Sequence, residues 1–189
     1  MTVPSSSSRP RWELSRRIAQ FPFLEALATR VLVCDGAMGP MLQRAGLSLD
    51  DFAGKDGCNG ILCETRPKVI AEVHAAYFAA GADVVETNSF GSTSLVLAEY
   101  AIADQAFELS RQSAEIARKV ADSFSTPEWP RFVAGSVGPT TKLITLGHTS
   151  WDELFASYTT QIRGLIVGGA DLVLIETAQD LLGIKCAVL

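Results

Sequence analysis

From Arg30 onward, short continuous apolar runs alternate with longer stretches of helical periodicity. Val31-Leu32-Val33-Cys34 reads as a strand ending on Asp35-Gly36. Thr65 to Ala80 reads as a helix, with Thr65 as N-cap, Pro67 in the first turn and Gly81 at a left-handed stop. Its apolar stripe is Val69, Ile70, Val73, Tyr77 and Ala80. Asp83-Val84-Val85 is the next strand and runs into Glu86-Thr87-Asn88-Ser89. A helix over Asp104 to Phe124 follows. Phe107, Ser110, Ala114, Ala117, Ala121 and Phe124 lie on one face, and Glu115 and Lys119 are spaced for an i,i+4 pair. Arg131 to Ser136 is a third strand, leading into Gly138-Pro139-Thr140. Ser150 and Glu153 form a capping box before a helix over Trp151 to Val167, whose stripe is Leu154, Tyr158, Ile162, Leu165 and Ile166. Asp171 to Ile175 is a fourth strand ending on Glu176-Thr177, and a last helix starts near Gln179.

The segment Gly81-Ala82-Asp83-Val84-Val85-Glu86-Thr87 is echoed by Gly169-Ala170-Asp171-Leu172-Val173-Leu174-Ile175-Glu176-Thr177. Apolar strands each followed by a helix indicate a parallel sheet covered on its faces. Right-handed crossovers then place successive strands side by side. Four βα units in this length match the first half of a (β/α)8 TIM-type barrel. An open doubly wound sheet is the competing architecture. It is disfavoured because no GxGxxG follows the first strand, where a long Gly-, Asp- and Asn-bearing loop runs from Met38 to Glu64 instead.

The first 22 residues differ in kind. Ser5 to Ser8 is a serine run, and Arg9 to Arg30 holds five Arg against Glu13 and Glu25. An Arg- and Ser-rich start suits a transit peptide. Trp12, Pro22 and the two Glu interrupt that pattern, so the preferred reading is a disordered tail over 1–22 leading into a short helix, Phe23 to Thr29, that covers one end of the domain. At 48% hydrophobic residues over 189 positions the remainder has ample apolar content for a core. The net charge of -5 argues against nucleic acid as a partner. No run approaches the roughly 18 apolar residues of a membrane span. The four cysteines, Cys34, Cys58, Cys63 and Cys186, form no CxxC and read as reduced thiols of a cytoplasmic protein.

The chemistry lies at the strand ends. In a parallel barrel the carboxyl ends of all strands meet on one face. Here they carry Asp35, then Glu86 with Asn88 and Ser89, then Ser136, then Glu176. One polar strand end is ordinarily a turn or a cap. Three carboxylates on one rim repel one another unless they hold a cation. A substrate ammonium is the simplest cation and a metal ion the next. Backbone N–H groups around Gly36 and Gly39 suit an anionic group on the same ligand, which describes a pocket for an α-amino acid.

Five segments then occur in order: LVCDGAMGPMLQ at 32–43, Gly57-Cys58-Asn59, ETNSFGSTS at 86–94 with Leu97-Ala98-Glu99-Tyr100, GPTTKLITL at 138–146, and GADLVLIET at 169–177. Together they resemble the homocysteine-binding (homocysteine S-methyltransferase) barrel of cobalamin-dependent methionine synthases, over residues 23–189. Pro40 departs from the small hydroxyl residue expected in its loop. The resemblance implies a methyltransferase of methionine biosynthesis in which zinc activates the homocysteine thiolate for attack on a methyl group carried by cobalamin. It implies that Asp35 and Glu176 face the homocysteine ammonium, and that Gly36 with the Thr87-Asn88-Ser89 turn shapes the pocket. Glu86 is expected to orient these groups rather than bind directly.

The family's three zinc-binding cysteines come from the later strands, and none of the cysteines here matches them. Cys34 is expected to pack inside the first strand. His74 is expected to be a surface or packed residue of its helix rather than a ligand, and His148 lies in a rim loop. No metal ligand is therefore expected in this chain, and zinc and methylcobalamin belong to the longer family protein. The expected partners are homocysteine, the other half of the barrel, and cobalamin and folate domains. The chain alone is expected to be inactive and to associate through bare sheet edges. Three alternatives stay open: a betaine- or S-methylmethionine-dependent homocysteine methyltransferase, a non-catalytic amino-acid-binding half-barrel, and an unrelated phosphate-binding barrel or flavodoxin-like domain. The GPTTKLITL stretch favours the cobalamin type.

Overall fold

A computed structural model of the chain describes residues 21–189, so most of the tail expected over 1–22 lies outside the described residues. The described residues fall into two units, 21–32 and 33–189. In the first, helix α1 spans Pro22–Thr29, with Pro22 at its start. Thr29 Oγ1 donates to the carbonyls of Glu25 and Ala26, one turn back.

The second unit is α/β. Its strands β1 (Val84–Glu86), β2 (Phe132–Val137) and β3 (Leu172–Ile175) form a parallel sheet in the order β1-β2-β3. Val85 pairs with Val133, and Gly135 with Val173. Each strand lies within about a residue of its predicted span. The first predicted strand does not extend over Val31–Cys34. Only Cys34 bridges Val84, while Val33 O accepts the Asp83 and Val84 N–H groups. Among the described residues this segment has one neighbour, β1, and Val33 is exposed. Cys34 is likewise exposed rather than packed.

Helices α2 (Met38–Arg44), α3 (Leu62–Thr65), α4 (Pro67–Ala79), α5 (Ser94–Leu97), α6 (Ala106–Phe124), α7 (Trp151–Val167) and α8 (Leu181–Val188) complete the unit. The stretch read as a long loop, Met38 to Glu64, therefore holds α2, a 3-10 turn at Asn59–Ile61 and most of α3. Thr65 ends α3 and does not cap α4; its hydroxyl donates to the carbonyls of Asp51 and Ile61. Arg66 holds the N-cap position at φ -138 because Pro67 keeps the preceding residue out of helical geometry. Gly81 takes the predicted left-handed conformation, φ 105, and the Ser150–Glu153 capping box forms. Glu115 pairs one turn back with Arg111 rather than forward with Lys119. Ile166, expected in the buried stripe of α7, is exposed, as is Phe107 on α6, and Ser157, Gln161 and Gly164 take the inner face of α7.

One core joins α4 and α6 to the sheet through Phe78, Ala117, Ala121, Val85 and Val133. Another joins β2 to α7 and α8 through Val137, Leu154, Tyr158, Leu165 and Cys186. His74 is fully buried, and desolvation lowers its pKa to about 4. β2 is buried along its length, whereas every residue of β3 is half-buried.

The echoed Gly-Ala-Asp segments perform the same task at the other end of the sheet. Asp83 Oδ2 accepts the Val33 N–H at 2.9 Å, and Asp171 Oδ2 accepts the Val133 N–H at 2.7 Å. Each aspartate thus ties the start of its strand to the neighbouring segment. Arg118 donates to Asp171 and to the Arg131 carbonyl, and Arg131 lies over the Trp129 ring.

Gly164 and Gly168 set the approach of α7 to α6. A Cβ on Gly164 would lie 2.5 Å from the Phe107 carbonyl oxygen, and one on Gly168 would collide with the Arg111 carbonyl oxygen. Gly164→Ala is therefore expected to lower unfolding stability by about 1–3 kcal/mol through overpacking, despite the better helix propensity of Ala. Denaturant titration of the two proteins checks this, and an unchanged or raised midpoint would refute it.

Candidate functional site

A cavity of about 480 Å³ opens at the carboxyl ends of the strands. That volume suits a small-molecule ligand. Of the seven residues predicted for the site, Asp35, Gly36, Glu86, Thr87, Asn88 and Glu176 line it, and Ser89 does not. Asp35 follows the Cys34 bridge, Glu86 is the last residue of β1, and Glu176 follows β3. Parallel pairing puts these ends on one side, so three carboxyl groups from segments far apart in sequence meet there. No Lys, Arg or His is among the lining residues described.

The electrostatics follow from that crowding. Burial raises Asp35 to about 7, the Glu86 N–H bond to its carboxylate opposes the rise, and the charges of Glu86 and Glu176 add to it. Burial also raises Glu86, and its contact with the Glu176 carboxyl raises it further. Near pH 7 Asp35 is therefore partly protonated, and a bound cation would displace that proton.

The remaining predicted residues have definite tasks. A Cβ on Gly36 would meet the Tyr77 hydroxyl at 3.0 Å, and that hydroxyl donates to the Ala37 carbonyl. A side chain at position 36 would press on the Tyr77 ring, and glycine avoids that contact. Asn88 Nδ2 donates to the Asn59 carbonyl at 2.8 Å and approaches Cys63 Sγ, fastening the turn after β1 to the Cys58–Gly60 segment. Thr87 Oγ1 faces Ser89 Oγ at 2.6 Å and accepts the Ser136 N–H. Ser89 is fully buried behind the cavity and donates to the Ser136 carbonyl at 2.7 Å. Thr177, directly after Glu176, has φ 52, an uncommon conformation for a β-branched residue, and turns the chain sharply there.

Ser136, Cys58, Met38, Phe90, Val96 and Tyr100, which are outside the predicted site, also line the cavity. The Ser136 hydroxyl donates to Glu176 Oε1. Its place at the end of β2 was the available signal. Phe90 packs where a Gly138 side chain would stand, 2.7 Å from its ring, which no periodicity reveals. His148 is exposed and does not line the cavity.

A chain with a parallel α/β sheet and an acidic strand-end pocket now has its family. The profile described as homocysteine S-methyltransferase matches residues 32–189, and the chain belongs to that family. It is similar to the methionine synthases of Mycobacterium leprae (strain TN), at 55% identity, and Mycobacterium tuberculosis (strain ATCC 25618 / H37Rv), at 53%, each over 166 residues and 88% of this chain. These alignments cover 14% of each relative, so the chain spans about a seventh of their length. Crystal structures of the homocysteine methyltransferase MmuM from Escherichia coli share the fold. The metallated form gives a TM-score of 0.70 at 27% identity and the oxidised form 0.68 at 28%. Each covers 85% of this chain, with 58% and 57% of the respective MmuM chain.

The sign of the pH dependence follows from Asp35. Below about pH 4 both folded and unfolded chains hold the proton, and the full stability is present. As pH rises toward 7 the unfolded chain releases it first, so this contribution is lost. The stability of the wild type relative to Asp35→Asn is expected to fall by about 1–2 kcal/mol across that window, allowing for solvent screening at a partly open site. Taking the difference removes the opposite trend of His74. Parallel denaturation curves for the two proteins at each pH would contradict this.

Proposed function

We propose that the cavity binds the α-amino acid homocysteine and that the chain is the N-terminal half of the homocysteine-binding barrel of a methionine synthase. The convergence of Asp35, Glu86 and Glu176 on one cavity carries this reading. Such a cluster holds its charge only against a cation, and the ligand ammonium is that cation. Asp35 and Glu176 face it, while Glu86 orients Asp35 through its N–H. The ligand carboxylate lies against backbone N–H groups of the Gly36–Gly39 turn and the Thr87–Asn88 turn. Its side chain lies toward Met38, Val96 and Tyr100, which supply apolar surface.

The half-barrel reading rests on three in-order parallel strands, the half-buried β3, and coverage of little more than half of MmuM. The remaining strands cover β3 and the Cys34 side. The methionine synthase relatives, at 53% and 55% identity, favour a cobalamin-linked protein over an MmuM-like one at 27% and 28%. The reaction is methyl transfer to the homocysteine sulfur in a cytoplasmic enzyme whose cobalamin and folate domains lie elsewhere in the longer protein.

The family implies zinc, and the residues here do not fit it. Among the described residues no three His, Cys, Asp or Glu converge as a metal site. Cys58 and Cys63 are buried, and desolvation raises both thiols, Cys63 to about 11. Cys34 is exposed, and Cys186 donates to the Trp151 carbonyl. A zinc site needs deprotonated, converging ligands. This chain's part in the reaction is to bind and orient the amino acid.

Calorimetry with homocysteine under reducing conditions, on the protein carrying this chain with the rest of its barrel, tests the reading. Asp35→Asn and Glu176→Gln are each expected to weaken binding by roughly ten- to a hundredfold, the worth of a charge-assisted hydrogen bond. Binding that is unaffected by either substitution would overturn it.

A further inference from the structure

We infer that Ser136 is a positioning residue for Glu176, and that the buried Thr87–Ser89–Gln161 network holds its hydroxyl for that purpose. The inference rests on the reading of the cavity as an ammonium pocket and names a residue which that reading leaves unassigned.

Ser136 sits where β2 outlasts β1. The β1–β2 register ends at Glu86 with Ala134, and the Thr87 N–H bonds the Ala134 carbonyl. Beyond that point β1 has turned away, and two main-chain groups of Ser136 would lack strand partners on this side. Side chains replace them. The Ser136 N–H donates to Thr87 Oγ1 at 2.9 Å. The Ser136 carbonyl accepts from Ser89 Oγ at 2.7 Å and from Gln161 Nε2 at 3.5 Å. Gln161, fully buried on α7, also donates to the Ser89 carbonyl at 2.6 Å.

The direction of each hydroxyl follows by elimination. A serine hydroxyl has one proton to donate. That of Ser89 goes to the Ser136 carbonyl, so in the 2.6 Å contact between them Thr87 is the donor and Ser89 the acceptor. Thr87 Oγ1 then has lone pairs left for the Ser136 N–H. The protons of the Thr87 and Ser89 hydroxyls are thus both committed to the scaffold, although Thr87 lines the cavity. The Ser136 hydroxyl alone in this network points outward, to Glu176 Oε1.

Glu176 needs such a partner. A glutamate side chain is rotamer-rich, and fixing it at the moment of binding costs affinity. Glu176 lies on a half-buried stretch just past β3, beside a Glu86 carboxyl that repels it when both are charged. With Oε1 held by Ser136, the Glu176 carboxyl is set to meet the ammonium, which takes the place of its contact with Glu86. The carboxyl groups that share the cavity with it are Asp35 and Glu86, and the Ser136 hydroxyl is a neutral donor among them.

The test compares homocysteine with 4-mercaptobutyrate, which keeps the thiol and carboxylate and lacks the ammonium. Calorimetry on the wild type, Ser136→Ala and Thr87→Val gives the ratio of the two affinities in each protein. Ser136→Ala is expected to weaken homocysteine by about tenfold while leaving 4-mercaptobutyrate within about twofold. Thr87→Val keeps the Ser136 hydroxyl and unties its backbone, so it is expected to show the same selective loss at smaller size. In turnover the loss should fall on KM with kcat retained, because the ammonium contact is equal in ground and transition states. Equal weakening of both ligands in both variants, or an unchanged ratio, would overturn the role of Ser136. A wild type that binds the two ligands equally would instead overturn the ammonium reading itself.

Discussion

The carboxyl groups of Asp35, Glu86 and Glu176 share one cavity, and no described cation lines it. Like charges held that close in a partly desolvated site either keep a proton or bind a positive group. Everything else at this end of the unit follows from supporting that arrangement. Asp35 is fixed by the Glu86 N–H, and Glu176 by the Ser136 hydroxyl. The glycine at position 36 lets the first turn approach Tyr77.

The two ends of the sheet divide the work. At the strand starts, Asp83 and Asp171 accept N–H groups from the neighbouring segments and hold the register. Arg118 and Arg131 are drawn into the same contacts. At the strand ends, the carboxyl groups have few such partners and face the cavity. This is the division seen across barrels and parallel sheets, where one face stabilises and the other carries chemistry. Buried hydroxyls of Thr87 and Ser89 then extend the order of the sheet beyond its last ladder bond, to the residues that touch the cavity.

Much of this was legible in the sequence. The strands and the long helices were found from apolar runs and spacing, because burial imposes both patterns directly. The rim carboxylates were found because a parallel sheet forces its strand ends together. The first strand was overread: an apolar run shows that a segment pairs, not how far, and Val33 to Cys34 has one described neighbour. Thr65 looked like a cap, yet Pro67 moved the helix boundary onto Arg66. Ser89 looked like a pocket residue, but two residues on from Thr87 its side chain turns into the sheet. The aromatic and thiol lining, Tyr100, Phe90 and Cys58, comes from loops whose paths are set by tertiary contacts rather than local pattern.

Proton release on ligand binding tests the central claim most directly. Methionine has the ammonium and carboxylate but no thiol proton to lose, so its binding isolates the cavity. Calorimetry at pH 7 in buffers of differing ionisation enthalpy gives the number of protons exchanged. The account predicts release of about half a proton from Asp35, since the ammonium replaces a proton that burial retains. Binding with no proton exchange, or with uptake, would contradict it.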